Sequence, residues 1–170
     1  MGFLDHVIDF LVREEEIRTF PAENGVSVTW DGEFYFHAWW EGEWFRYGTS
    51  ERAMPRMEDL GSSDVNIVAN WFIYQVMNTV RQSRSMPAIF IRSTISDIRP
   101  GWSVEEMEYP WARLVRPDGE PLEMAMYSVA PTHPRLLTLS WIVDAEPREL
   151  FESFLDPDGR PLLTQFVERH

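Results

Sequence analysis

The stretch WDGEFYFHAWWEGEWFRYG, Trp30 to Gly48, holds nine of the chain's 24 aromatic residues. Residues 26–30, 33–40 and 43–47 are three β-prone runs, separated by Asp31-Gly32 and Glu41-Gly42. Asp-Gly favours a two-residue hairpin with a type I′ turn, and Glu-Gly is a weaker form of the same signal. The stretch predicts a tight antiparallel meander. Two-residue loops would pair Trp30 with Glu33, Val28 with Tyr35, Trp40 with Glu43, Trp39 with Trp44, and His37 with Arg46. One face then carries Val26, Val28, Trp30, Tyr35, His37, Trp39, Trp44 and Arg46. The other carries Ser27, Thr29, Phe34, Phe36, Ala38, Trp40, Phe45 and Tyr47. A one-sided sheet alternates apolar with polar residues. Two aromatic faces mean that one packs on the core. The other is covered by a helix or offered to a partner.

The rest of the chain supplies the cover. Leu4, Val7, Ile8 and Leu11 form a helical stripe in residues 3–13. The acidic run Glu14-Glu15-Glu16 is unfavourable at a helix C-terminus, so the helix should end near Arg13. Residues 20–25 read as a loop, and residues 49–63 as polar and irregular. Ser63 or Asp64 can cap a helix over residues 65–82. Its apolar stripe is broad, from Val65, Val68, Phe72 and Val76 to Ile67, Trp71, Tyr74 and Met77. That breadth predicts burial, and this helix is the candidate to cover one face of the meander. Strands are expected at 88–92, 102–107, 111–115, 122–129 and 136–143. A short helix follows at 147–155, with Leu150, Phe151, Phe154 and Leu155 on one face. RPDGEP and DPDGRP are further Asp-Gly turns, and an amphipathic piece ends the chain. The class is α+β: a single domain over 1–170, largely antiparallel sheet, packed on one long and several shorter helices.

Composition narrows the function. The 170 residues carry a net charge of −13, and all fifteen cations are Arg. Nucleic-acid backbones and anionic membranes both require a positive field, so neither is an expected partner. There is no Cys, which removes disulfides, thiolate metal sites and Cys nucleophiles, and fits a cytoplasmic protein. MGFLDHVIDFLVREEE lacks the basic region and small-residue cleavage site of a signal peptide. His6, His37, His133 and His170 are far apart in sequence. No HExxH, Gly-rich phosphate loop or GxSxG is present. The sequence calls for no metal or cofactor, and the chain reads as a binder, not an enzyme.

Several segments occur in a suggestive order. Arg52 lies in TSERA after the meander. The long helix ends in Val80-Arg81, and Met86-Pro87 follows. GWSVEE, LVRPDGEPL and SFLDPDGRPLL complete the series. In order and spacing, residues 25–165 resemble actinobacterial immunity proteins of the family that includes the antitoxin of the tuberculosis necrotizing toxin. That toxin class hydrolyses NAD. The resemblance implies a cytosolic, non-catalytic protein that blocks a toxin's active-site groove. It assigns no individual binding residue.

Charge and aromatic content nominate the interface instead. Trp39, Trp40, Glu41, Glu43 and Trp44 surround the meander tip, and Glu105, Glu106 and Glu108 form a second acidic group. Aromatic anchors beside a polar rim are the usual form of a protein-binding hot spot. A second reading makes the chain a small-molecule binder. The meander and the long helix would enclose a pocket around Tyr35, His37 and Arg46, suited to an anionic aromatic ligand.

Overall fold

The computed structural model describes residues 3–15, 17–22, 24–52, 54–94, 97–130 and 132–168. Met1, Gly2, Glu16, Ala53 and His170, read above in the sequence, lie outside them. Eight strands form one antiparallel sheet in the order β1-β2-β3-β4-β5-β8-β7-β6. They are β1 (Arg18–Ala22), β2 (Gly25–Thr29), β3 (Phe34–Glu41), β4 (Trp44–Glu51), β5 (Met57–Ser62), β6 (Ser103–Glu106), β7 (Trp111–Val115) and β8 (Met124–Tyr127). The helices are α1 (Phe3–Glu14), α2 (Val65–Ser83), α3 (Pro134–Ser140) and α4 (Pro147–Leu155).

One face of the sheet feeds the core. It contributes Val28, Ala38, Phe45, Tyr47, Leu60, Ala112, Leu114, Met124 and Met126 to a single apolar cluster, which all four helices join. α2 lies against β3, β4 and β5, and α4 packs on α2. The Asp64 carboxylate caps α2 by accepting the Asn66 N–H at 2.9 Å. Eleven buried residues on α2 explain its broad apolar stripe, because the sheet and α4 flank it together. Among the described residues no helix is long and apolar enough to cross a membrane.

The meander differs from its predicted register at both turns. β2 and β3 pair Val28 with Phe36, one residue from the expected alignment. Asp31 is the cause. Its carboxylate accepts the Glu33 N–H at 2.8 Å and the Phe34 N–H at 3.0 Å, which lengthens the turn. A one-residue slip moves a whole strand to the opposite face. Val26, Val28 and Trp30 therefore join Phe36 and Ala38 on the core side. Ser27 and Thr29 join His37. The β3–β4 turn shifts evenly: Glu41 pairs with Trp44 and Trp39 with Arg46, so the faces hold. Gly42, at φ 61°, takes the first central position, where a type II′ turn requires Gly.

Other expectations also change. The run at 136–143 is helix α3 followed by turns, not a strand. Pro134 presets its first turn, and a short apolar run does not separate a strand from a buried helix. Residues 88–92 make only a single bridge, Ile89 to Val167. β1 and β5 arise from segments read as loops. β1 contains Pro21, which an edge strand tolerates.

Candidate functional site: the helix-free face of the sheet

The second sheet face has no helix on it among the described residues. It carries Ser27, Tyr35, His37, Trp39, Trp44, Arg46 and Ser50 of the meander. Its middle row runs Gly25, Trp39, Arg46, Gly61 and Ala125 across five strands. Continuing the β7–β8 register puts Arg113 beside Ala125, and Arg113 faces Glu105 on β6.

The glycines in this region are platforms for indoles. A Cβ at Gly61 would sit 3.1 Å from Trp44 Cε3 and 3.2 Å from Arg46 Nη1. A Cβ at Gly48 would sit 3.1 Å from Trp39 Cη2 and would overlap the Met57 carbonyl oxygen. The rings therefore lie over bare backbone. Arg56 stacks on Trp39 with its guanidinium carbon 4.5 Å from the ring centre, which helps to leave Trp39 only 8% exposed. Arg46 is held between Glu58, by a short hydrogen bond, and Glu41. Its Nε lies 2.6 Å from the Glu41 carboxylate, at an angle that makes an ion pair without a hydrogen bond. Such paired guanidinium–carboxylate contacts fix side-chain geometry as well as charge.

His37 occupies the next row. Its Nδ1 lies 2.7 Å from Ser27 Oγ and its Nε2 2.8 Å from Ser50 Oγ. Tyr35 stacks on it at 12°. Burial, assisted by the Arg56 charge, pushes its pKa down to about 4. A neutral imidazole uses one nitrogen as donor and the other as acceptor, and two hydroxyls satisfy either tautomer. The linkage is then fixed in sign. Above the ordinary His pKa of 6.5 the ring is neutral in both states. Between 6.5 and about 4 the unfolded chain takes up a proton that the folded one refuses, so stability falls with pH. Urea midpoints between about pH 7 and pH 5 should fall in the wild type, and His37→Gln should flatten that fall. An equal fall in both would remove His37 as the cause.

The nominated residues divide between several places. Trp39, Glu41, Trp44 and Arg46 share the helix-free face, and Glu43 is exposed at the turn. Trp40 is on the core side, 5.0 Å from the Phe45 ring. None of the three tryptophans is fully exposed; Trp40 and Trp44 are half-buried. Glu105 is on the same face as Trp44, with its carboxylate held below the usual range by the Arg113 hydrogen bond at 2.7 Å. Glu106 belongs to the core-side row of edge strand β6 and is exposed at its rim, and Glu108 lies in the turn after it. Tyr35, His37 and Arg46 are on the face away from α2, so α2 does not enclose them as the second reading expected. The sequence reasoning missed Arg56, Arg113, Trp111 and Tyr127. The last two meet edge to face at 5.8 Å, opposite each other on β7 and β8. Their alternation was visible in the sequence, but the strand order that brings them to this face was not.

Among the described residues, Ser128, His133 and Glu106 form the nearest approach to a catalytic triad. Ser128 Oγ is 2.8 Å from His133 Nδ1, and Glu106 Oε1 is 3.6 Å from Nε2. The second distance is not a hydrogen bond, and Glu106 is 79% exposed. A triad needs an acid that orients the base from a protected position. His133 sits half-buried at the start of α3, with φ 45°.

The chain matches the family described as Immunity protein 61 over residues 11–162. No curated protein matches it. Among solved structures it is similar to Rv3902c from M. tuberculosis, at 19% identity and a TM-score of 0.74. That alignment covers 96% of this chain and 93% of that one. The family match runs from the last turn of α1 through the turn after α4. The chain belongs to the Immunity protein 61 family.

Proposed function

We propose that this protein neutralises a toxin domain by binding it through the helix-free face of the sheet. The observation that carries the reading is the composition of that face. Indoles reach over glycine backbone beside fixed Arg–Glu pairs, in a protein whose family is one of immunity proteins. Anchors held rigid before binding lose little side-chain entropy on docking. Trp44, Trp111 and Tyr127 supply the apolar area, with Trp39 supporting it from beneath Arg56, and Glu41, Glu43, Glu58 and Glu105 supply an acidic rim. Glu106 and Glu108 extend that rim at the edge of β6.

The dimensions suit one partner. β4 and β6 are four strand spacings apart, roughly 19 Å at about 4.8 Å each. An interface of about 800 Å² per partner is a patch roughly 30 Å across. Such a patch spans the Trp44 and Glu105 groups together.

The net charge of −13 suits a basic target, and steering by charge makes association fast and salt-sensitive. We read the protein as acting by binding, without catalysis, in the cytoplasm. On the sequence resemblance, an NAD-hydrolysing toxin is the finer target. The test is co-purification from the native host at moderate salt, with mass spectrometry of what stays bound. The expected result is one stoichiometric basic protein, released as salt rises. A chain recovered alone would count against the reading.

A further inference from the structure

The turn from β6 to β7 and the connection from β8 to α3 flank a notch at the end of the sheet. Its volume is about 210 Å³, below the roughly 300 Å³ at which small-molecule sites begin. That is space for one long side chain of a partner. Met107, Tyr109 and Val129 line it and are 39%, 78% and 54% exposed. Large apolar side chains left open together mark an interaction site. Trp111 also lines the notch and belongs to the helix-free face, so the notch lies at the rim of the proposed toxin surface.

The polar groups of the notch differ in what they have left to offer. Ser128 Oγ and His133 Nδ1 already hydrogen-bond each other at 2.8 Å. Glu106 reaches solvent, with its side chain 79% exposed, and its carboxylate is 3.6 Å from His133 Nε2. Among the described residues no Arg pairs with it, whereas the neighbouring Glu105 is held by Arg113. No Arg lines the notch either. An accessible negative charge therefore stands beside open apolar and aromatic surface.

That combination selects a side chain with an apolar stem and a cationic head, the form of Lys and Arg. A guanidinium fits better than an ammonium. It is planar, stacks on an aromatic ring, and pairs with a carboxylate through two N–H groups at once. The net charge of −13 draws basic surfaces toward it.

We propose that this notch receives an arginine side chain of the toxin, with its stem against Met107 and Val129 and its guanidinium on Tyr109, paired with Glu106. The proposal rests on the toxin-neutralising reading for the identity of the partner, and it names the residue type that is grasped.

The first test is a titration of the full-length, ¹⁵N-labelled protein with N-acetyl-arginine amide. The backbone resonances of Met107, Tyr109 and Val129 should shift together and saturably, with a Kd of about 10 mM or tighter. Glu106→Gln should weaken that binding about fivefold. Glu152→Gln, which removes the same charge from α4, should leave it unchanged. N-acetyl-lysine amide should bind more weakly. No saturable shift, an affinity unaffected by Glu106→Gln, or equal binding of the lysine amide would overturn the proposal. These measurements need no toxin, so a chain recovered without a partner and a notch that ignores arginine are separate results. With the co-purified partner, Glu106→Gln and Tyr109→Ala should each weaken binding about tenfold by calorimetry. Partner binding unaffected by both substitutions would place the notch outside the toxin interface and overturn the assignment of its occupant.

Discussion

Arg81→Met should lower the free energy of unfolding by about 3 kcal/mol or more, read as a fall in the urea midpoint. Arg81 is completely buried near the end of α2. Its partners are main-chain carbonyls. Nε donates to Pro87 at 2.6 Å, Nη1 to Phe154 at 2.8 Å and to Asp156 at 2.7 Å, and Nη2 to Pro157 at 2.9 Å. One guanidinium therefore joins the end of α2, the segment after it and the C-terminus of α4. Burial pushes its pKa down, and the Asp156 charge opposes that shift. Methionine fills much of the volume but leaves the Pro87, Phe154 and Pro157 carbonyls without this donor, while the Asp156 carbonyl keeps the Gly159 N–H at 2.9 Å; each orphaned group costs about 1–3 kcal/mol where water cannot reach. Arg81→Lys should recover only part of the loss, because a single ammonium cannot reproduce the planar fork. A midpoint unchanged in Arg81→Met would show that water satisfies these carbonyls.

The same contacts give a physical reason for the sequence resemblance. Its segments include Val80-Arg81, Met86-Pro87 and SFLDPDGRPLL. In the folded protein these segments meet at Arg81. Similarity in them reports a structural joint, which explains why the resemblance indicated a family without indicating a binding surface.

Trp44→Ala is the second large effect. It should weaken partner binding by about 2 kcal/mol, or about thirtyfold in Kd, with little change in stability. Trp44 is half-buried on the helix-free face, over Gly61 and beside Arg46, and it is not part of the core cluster. Trp40→Ala is the matched control. Trp40 packs against that cluster from the other face, so its loss should cost about 3 kcal/mol of stability. The two substitutions remove the same side chain four residues apart and should report opposite things. If Trp44→Ala unfolds the protein while Trp40→Ala does not, the face assignment is wrong.

How much of this was legible follows from the range of each interaction. Local signals were enough for α2 with its Asp64 cap, for α4, and for β3 and β4. They also gave the opposite facing of Trp39 and Trp40. The β2–β3 register was not legible, because it depends on Asp31 accepting two particular N–H groups in place of forming the shorter turn. β5 was hidden because MEDLGS has no apolar alternation of its own. It is held by pairing with β4 on one side and β8 on the other. α3 was misread because LLTLSWIV is a short, mostly apolar run without a clear period, and only tertiary burial chooses between helix and strand there. Of the candidate face, composition alone nominated Trp39, Glu41 and Trp44, which the β3–β4 register places together. Trp111, Tyr127 and Arg113 reach the same face only through the non-sequential order β5-β8-β7-β6, which no local pattern encodes.

The most direct measurement of the central claim is a growth assay on the co-purified partner in a heterologous bacterial host. The account predicts that the partner alone arrests growth and that co-expression of this protein restores it. Trp44→Ala, at equal protein level, should restore growth poorly. A partner that does not arrest growth, or an arrest that this protein does not relieve, would contradict the toxin-neutralising account.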